Sequence, residues 1–579
     1  MVGAFNYATL RIARGARESH IVPAVDRLLL PYGSTGAYGR SEQRSHQALT
    51  NEIDQQRVFG TVLPAIFLGV AIFLLNVLLH RHIATERSQI ASLKALGYGD
   101  GAIGAHYLKL VMVIVVLGVA GGLLVGVLFG RWITNLYTDF FHFPTSDYRL
   151  SPVLVAAGSA IAVLGGVAAV ASGIRSSVRL SPAEAMRPPS PASYRQTLAD
   201  RCGLARLAPA TRMVARELER RPWRAVLTTL GMASAVAIIV AGTWWGDAFD
   251  SLINLEFGVR ERADSILALA EAAPVGSLHE VAQLPGVLLV EGTRDLPVIL
   301  RSGVHAVRAS VVGVEPGAKL RQMLDAGNRP LPPVAGGLLF SRPLAERLDV
   351  RPGQSLWVEP LQRARAAQLV PVSGLTGDLK GNIAYMRRLD AARLAGEGDT
   401  VSTVRVRVDR SRYAQFSERV RMMPRVAAVG EKTLMLRSFR RTQARNLLYF
   451  TGILSVFAAA IAVGVVYNSA RIALAEHAWE LATLRVLGFT RAEVSRILLG
   501  QSMVQLLVAI PIGWLLGRWL SAFILSLMPS HEFRIPLTIY PSTYAFAGLV
   551  TAAAGLVSAV VVRRHIDRLD LVGVLKIRD

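Results

Sequence analysis

Seven apolar runs punctuate the chain, at about 61–80, 108–129, 152–174, 225–246, 447–469, 498–528 and 542–562. Each reaches the ~20 apolar residues that a bilayer-spanning helix needs, and the sixth is long enough to tilt or to project past the bilayer. Between the first and second runs lies Ile83–Leu110, and a near copy, Ile472–Gly500, lies between the fifth and sixth. Leu93-Lys94-Ala95-Leu96-Gly97-Tyr98 matches Leu484-Arg485-Val486-Leu487-Gly488-Phe489. Apolar residues recur at helical spacing in both copies: Ile90, Leu93 and Leu96, then Leu481, Leu484 and Leu487. Gly97 and Gly488 follow where a helix ends in the left-handed conformation that glycine adopts without strain. A new helix is predicted at once, opened by a Thr490/Glu493 capping box in the second copy and by Asp100 as the equivalent cap in the first.

The duplication extends in both directions. Gly122-x-x-x-Gly126 falls on Gly513-x-x-x-Gly517 at the same offset, and such pairs let two helix backbones approach closely. Arg175 and Arg179 correspond to Arg564 and Arg568; each pair leads into another short helix, capped by Ser181-Pro182-Ala183-Glu184 and by Asp570. Upstream, the alternating Thr9-Leu10-Arg11-Ile12 resembles Thr403-Val404-Arg405-Val406. Both are expected strands, followed by a helix-like run and a polar stretch, Gly39–Arg57 or Leu434–Asn446. The second unit opens with the span at 225–246, preceded by the basic stretch Arg216–Arg224 with Trp223 placed for the interface. The first unit shows no such span and no signal peptide, so the expectation is a chain lacking one span and most of one outer domain of a longer ancestor.

Composition agrees with membrane insertion: 52% hydrophobic, only 18% charged, and a mean hydropathy of +0.38. The net charge of +23 brackets the apolar runs, which argues for membrane topology and against nucleic acid. Segment 175–224 is dense in Arg, whereas 130–151 has only Arg131 and Arg149. The positive-inside rule therefore places 81–107, 175–224, 470–497 and 563–579 in the cytoplasm and 247–446 outside. The single Cys202 excludes an internal disulfide and a cysteine metal cluster, and reads as a small apolar residue.

The expected domains are an outer-domain remnant with stalk (1–60), a three-span repeat (61–180), a basic linker (181–224), the span 225–246, the outer domain with stalks (247–446) and a second three-span repeat (447–579). The outer domain reads as mixed α/β. Val298–Arg301, Val304–Val314 and Ser355–Glu359 are short and bounded by Pro or Gly, as strands are. Gly336–Ser341 leads into a helix at Pro343–Leu348, and Pro352-Gly353 marks a turn. Residues 247–262 and 434–446 read as stalk helices continuing from the fourth and fifth spans.

Candidate chemistry is sparse. No phosphate loop of the G-x-x-x-x-G-K-[ST] type occurs, and Gly313–Lys319 has the wrong spacing on the wrong side. His142 and His531 stand alone without a ligand cluster. Ser341 reads as a helix cap, Trp244 and Trp245 as interfacial anchors, and Asn76, Gln505 and Asn468 as interhelical hydrogen-bonding groups. Glu480 and Arg485 read as an ordinary surface pair worth little. No span carries a central Asp or Glu, which argues against an ion-coupled secondary transporter.

Glu480-Leu481-Ala482-Thr483-Leu484-Arg485-Val486-Leu487-Gly488 resembles the motif of the FtsX-like/MacB-like permease superfamily of ABC transporters: a Glu, then Leu-(Arg/Lys)-x-(Leu/Ile)-Gly before the next span. The first copy has Gln89 in place of the Glu. Leu180–Arg187 resembles the signature after the third span, and Ser341–Gly353 the Ser-x-x-Leu-Ala-x-x-Leu-x-Val-x-x-Gly segment of MacB-type outer domains. The resemblance implies an α-helical transmembrane fold with two FtsX-like repeats, about seven spans and a mixed α/β extracytoplasmic domain, in a bacterial cytoplasmic (inner) membrane. It implies that Gln89, Leu93, Lys94, Leu96 and Gly97, with Glu480, Leu484, Arg485, Leu487 and Gly488, dock on a separate cytoplasmic ABC ATPase dimer. ATP is then bound by that partner, and this chain needs no cofactor of its own. Closure of the ATPase would reach the outer domain along the stalks, to export or extract a hydrophobic compound, lipid, lipoprotein or peptide, with room for a periplasmic accessory protein. The alternative is an FtsX-like regulator that activates an extracytoplasmic enzyme.

Overall fold

The computed structural model describes residues 8–32, 34, 36–143, 147–178, 219, 222–362, 366–378, 382–438, 440, 451–467, 490–528 and 535–567. The helical part of the second copy's motif, 472–489, lies outside them, as do Ser181–Glu184, Cys202, Asn468, His531 and Asp570. The chain divides into two compact units. One comprises 1–58, 244–449 and 523–539; the other comprises 59–243, 450–522 and 540–579.

In chain order the helices are α1 (Glu18–Leu29), α2 (Arg44–Thr85), α3 (Arg87–Ala95), α4 (Asp100–Phe141), α5 (Pro152–Val178), α6 (Pro222–Ile253), α7 (Leu278–Ala282), α8 (Arg342–Leu348), α9 (Arg388–Leu394) and α10 (Tyr413–Arg421). They continue with α11 (Thr451–Tyr467), α12 (Arg491–Leu527) and α13 (Pro541–Asp567). Among the described residues, six helices are long and apolar enough to cross a membrane: α2, α4, α5, α6, α12 and α13. The fifth predicted run is the apolar helix α11, which is shorter in its described part. The over-long sixth run is α12, whose 37 residues span about 55 Å at helical rise.

The repeat is visible in the packing. A Cβ on Gly166 of α5 would lie 3.0 Å from Val115 of α4, and one on Gly555 of α13 would lie 2.7 Å from Leu506 of α12. Val115 and Leu506 are equivalent positions, so both third spans press a glycine onto the same point of the second span. The first repeat closes around Leu79, Ile83, Ile90, Ile103, Tyr107, Val111, Ala169 and Val170. The second closes around Val465, Val466, Leu506 and Ala509, with Met232 and Ala233 of α6 added.

Among the described residues the outer domain has nine strands: β1 (Ser265–Pro274), β2 (Val287–Ser302), β3 (His305–Val314), β4 (Leu338–Ser341), β5 (Ser355–Pro360), β6 (Gln368–Thr376), β7 (Ile383–Arg387), β8 (Thr400–Val408) and β9 (Val426–Glu431). Their order is β3-β7-β4-β6-β5-β2-β8-β1-β9, and β2 also pairs with β3. That extra pairing closes β3, β7, β4, β6, β5 and β2 into a barrel, which removes its edges. Its interior holds Leu296, Val298, Leu300, Val311, Phe340, Val358 and Ala384. The 16 residues of β2 run on into a four-stranded antiparallel sheet, β2-β8-β1-β9, covered by α7 and α10 through Leu267, Val281, Val404, Val406, Phe416 and Val420. The order β1-α7-β2 … β8-α10-β9 is a split βαβ arrangement with the barrel inserted at its middle.

Two expectations fail here. Thr9–Ile12 forms no strand; Leu10 is 68% and Ile12 38% exposed. Its counterpart in β8 is held between β1 and β2, and among the described residues no strand lies beside Thr9–Ile12 to supply the ladder bonds. Trp244, expected at the interface, is wholly buried, edge-on to Trp245 at 5.5 Å between ring centres.

Candidate functional site

The first copy of the duplicated motif folds as α3, a two-turn helix between α2 and α4. Gly97 takes φ +92°, Tyr98 N–H donates to Leu93 O (3.1 Å) and Gly97 N–H to Lys94 O (3.0 Å). These are the two bonds of a Schellman ending, which satisfies the helix's last carbonyls. Asp100 is not the cap of the next helix. Gly99 occupies that position, and Asp100, the first helical residue, pairs with Lys94 at 2.9 Å across the turn. One residue inside the helix, the Asp100 carboxylate cannot act as the N-cap but still places negative charge in the first turn, where the helix dipole favours it. The second copy does use its capping box: Glu493 N–H donates to Thr490 Oγ1 (3.3 Å) and Thr490 N–H to Glu493 Oε2 (2.8 Å).

The helix-spaced apolar residues do not share one face. Ile90 is buried in the repeat core with Ala91 beside it, whereas Leu93 is 41% and Leu96 77% exposed. Steps of three residues fall about 60° short of a full turn each, so Leu96 lies about 120° around from Ile90. Gln89 and Tyr98 are also exposed, and Lys94 is half-buried against Asp100. The outward group is therefore Gln89, Leu93, Leu96 and Tyr98. Behind it, Tyr107 donates to Glu86 at 2.5 Å and ties the start of α3 to α4. The result is a short, anchored helix that presents large apolar side chains outward. Its counterparts Glu480, Leu484, Arg485, Leu487 and Gly488 lie outside the described residues.

The glycine pairs differ between repeats. Cβ atoms on Gly513 and Gly517 would strike Val236 and Val240 at 2.5 and 2.6 Å, because α6 lies directly on them. Gly122 and Gly126 have nothing within 4 Å.

The sequence reading missed a cluster in the outer domain. α6 runs into a π-helical turn, Asn254–Arg260, and Glu256, Arg260 and Glu261 there are all buried. Arg260 meets Asp378 at 2.8 Å and donates to the Gly377 carbonyl. Arg321 meets Glu256 (3.2 Å) and Glu261 (3.5 Å) and donates to the Tyr385 hydroxyl (2.7 Å). Arg405 of β8 donates to Glu261 (3.0 Å) and to Thr293. Three guanidinium groups thus balance three carboxylates, and backbone bonds Arg262 N–H to Leu320 O and Gln322 N–H to Arg260 O reinforce the joint. Burial works against the Arg321 charge, but Tyr385, Glu256, Asp378 and Glu261 outweigh it and raise its pKa further. Burial raises the Tyr385 phenol pKa well above its usual range; Arg321 opposes that shift and Asp378 adds to it. At the edge, burial lowers the Lys432 pKa while its ammonium donates to the Glu261 carbonyl. The available signal was Arg405 within the otherwise buried strand TVSTVRVRV, together with the Glu-x-x-x-Arg-Glu that ends the fourth apolar run.

Comparison with known families matches the model described as "FtsX-like permease C-terminal" twice, at residues 61–182 and 452–571. Both repeats are FtsX-like permease domains. The two matches are the two repeats, and with its apolar helices the permease is a multi-pass membrane protein. Permeases of this family are in general non-catalytic membrane subunits, and the family implies a cytoplasmic ATPase partner. Among solved structures, the outer part of the permease is similar to the extracellular domain of the noncanonic ABC-type transporter YknZ from Gram-positive bacteria. That match has 14% identity and a TM-score of 0.21, and covers 27% of this chain and 88% of that one. It is also similar to the periplasmic region of MacB from Actinobacillus actinomycetemcomitans, at 10% identity and a TM-score of 0.23, covering 32% and 96%. No curated protein matches the permease.

Proposed function

We propose that this permease is the membrane subunit of an ABC transporter in a bacterial cytoplasmic membrane, driven by a separate cytoplasmic ATPase dimer. The supporting observation is α3: Leu93, Leu96 and Tyr98 point outward from a helix whose other side is held by Ile90, Ala91, Glu86–Tyr107 and Lys94–Asp100. Large apolar groups on an anchored helix suit a partner pocket: Tyr98 is of the type that dominates binding energy at interfaces, and Leu93 and Leu96 add apolar area that leaves water on binding. Gln89 lies beside them and adds a neutral hydrogen-bonding group in place of the second copy's Glu480. The Lys94 ammonium, half-buried and paired with Asp100, fixes the turn, so acidic groups on the ATPase would meet Arg485 in preference.

Movement of α3 and its duplicate on nucleotide binding would shift the spans. α6 leads into the π-helical turn that carries Glu256 and Arg260, so its displacement would reach the outer domain through the buried charge cluster. The work done there is export or extraction of a hydrophobic compound, lipid, lipoprotein or peptide.

The test is a photo-crosslinking residue at position 96 in native membranes, followed by mass spectrometry. The expected product contains a nucleotide-binding ATPase and disappears when Leu93 and Tyr98 both become Asp. A crosslink to lipid alone, or an ATPase that still co-purifies with the double variant and responds to it normally, would overturn the reading.

A further inference from the structure

Two contacts of the outer barrel are built differently. One is the buried charge cluster beyond the end of α6, where Arg260, Arg321 and Arg405 meet carboxylates with little exposed surface. The other is made by the residues that lead into α2. Residues 1–58 and 244–449 belong to the same compact unit, and the stretch 36–39 lies against the barrel at Arg308 of β3. Arg308 stands on the end of the β2–β3 hairpin that projects beyond β7, whose pairing with β3 begins at Ser310. Its guanidinium group lies 4.9 Å from the centre of the Tyr38 ring, and its Nη2 donates to the Gly36 carbonyl (3.4 Å). Gly36 takes φ +92°, and a Cβ there would stand 3.3 Å from Arg308 Nη2 and 3.6 Å from Leu361. Glycine is what lets this loop turn so close to the barrel.

The loop's other side is fixed to α1. The Asp26 carboxylate accepts the Ala37 N–H, Ser34 Oγ accepts the Gly36 N–H (3.1 Å), and a Cβ on Gly39 would overlap the Glu18 carboxylate. The shape of the loop is therefore set by α1 and by itself, whereas its hold on the barrel centres on one arginine. That hold is light. None of the residues 36–39 is buried, and Tyr38 is 38% exposed. A cation over an exposed ring attracts weakly, and 3.4 Å is long for a hydrogen bond.

We infer that residues 36–39 form a latch: a loop preformed on α1 that closes on the barrel through Arg308 and opens without unfolding. The barrel then has two positions relative to α1, while the charge cluster beyond α6 stays closed in both. The inference concerns this chain alone and does not depend on ATPase docking at α3.

The test is pulsed electron spin resonance on the full chain in lipid nanodiscs, with Cys202→Ser and spin labels at Arg27→Cys and Val304→Cys, both exposed positions. The α1-to-barrel distance is expected to show a main population and a longer one. Tyr38→Ala should raise the share of the longer one about two- to fivefold, and Arg308→Ala at least as much. Tyr38→Phe keeps the ring and should leave the distribution as in the parent. Labels at Arg27→Cys and Ser41→Cys should report one distance in every variant, because the loop stays on α1. An α1-to-barrel distribution unchanged by Arg308→Ala would show that other contacts hold the loop. A changed distance between positions 27 and 41 would show that Arg308 serves the folding of the loop. Either result overturns the proposal.

Discussion

Arg260 and Asp378 lie 2.8 Å apart with almost no exposed side-chain surface, joining the end of the long helix α6 to the turn after β6. Removing one member of a buried pair leaves the other charge uncompensated, at a cost of about 3–5 kcal/mol. Asp378→Asn is therefore expected to lower the thermal midpoint of the outer domain and to speed hydrogen exchange in β6 and β7. The double variant Arg260→Met with Asp378→Leu should recover much of the stability. If the rigid joint also carries motion, that double variant will be folded but will show transport uncoupled from ATP hydrolysis.

Tyr385 gives a pH dependence with a definite sign. Its folded pKa is raised, chiefly by burial, above the ordinary phenol value of 10.0. The stabilisation it contributes is therefore fully present below about pH 10 and is lost as the pH rises through the folded value. Tyr385→Phe should flatten the alkaline limb of the stability profile. At neutral pH it should cost about 1–3 kcal/mol, because a buried Arg321 N–H loses its acceptor. An alkaline limb as steep in the variant as in the parent would show that another group controls it.

Gly97 tests whether the geometry of α3 matters beyond its surface chemistry. A Cβ at this position meets nothing within 4 Å, so Gly97→Ala changes only the left-handed conformation, at roughly 1–2 kcal/mol. Crosslinking from position 96 is expected to fall while the expression level and the midpoint of the outer domain stay unchanged. Loss of expression would mean that the turn serves folding rather than docking.

What the sequence discloses is mostly local. The Gly97 ending, the Thr490/Glu493 box, the Ser341 cap on α8 and the Pro352-Gly353 turn are each set by a few neighbouring residues, and all are present. The strands at Val298–Arg301, Val304–Val314 and Ser355–Glu359 follow for the same reason. Spacing alone could not say that Ile90 faces inward while Leu96 faces outward, because that depends on where α2, α4 and α5 lie. The strand-like pattern of Thr9–Ile12 fails because a strand is completed by its neighbours. The buried charges of the outer domain were hidden because Glu256, Arg321, Asp378 and Arg405 are far apart in the chain and become partners only when the barrel and the four-stranded sheet share β2.

The two glycine pairs, alike in sequence, are expected to respond oppositely to bulk. At Gly513 a new Cβ would stand 2.7 Å from the Ala233 carbonyl and 2.5 Å from Val236, both on a buried helix that cannot yield without moving its whole length. Gly513→Leu should therefore prise α6 from α12 and lower the yield of folded permease. At Gly122 the same substitution meets open space, and leucine is a better helix former by up to about 1 kcal/mol. Gly122→Leu in the isolated chain should leave stability equal or slightly higher, read as the thermal midpoint in nanodiscs. Equal losses at both positions would mean that the face of α4 is already covered within this chain, and the asymmetry between its repeats would disappear.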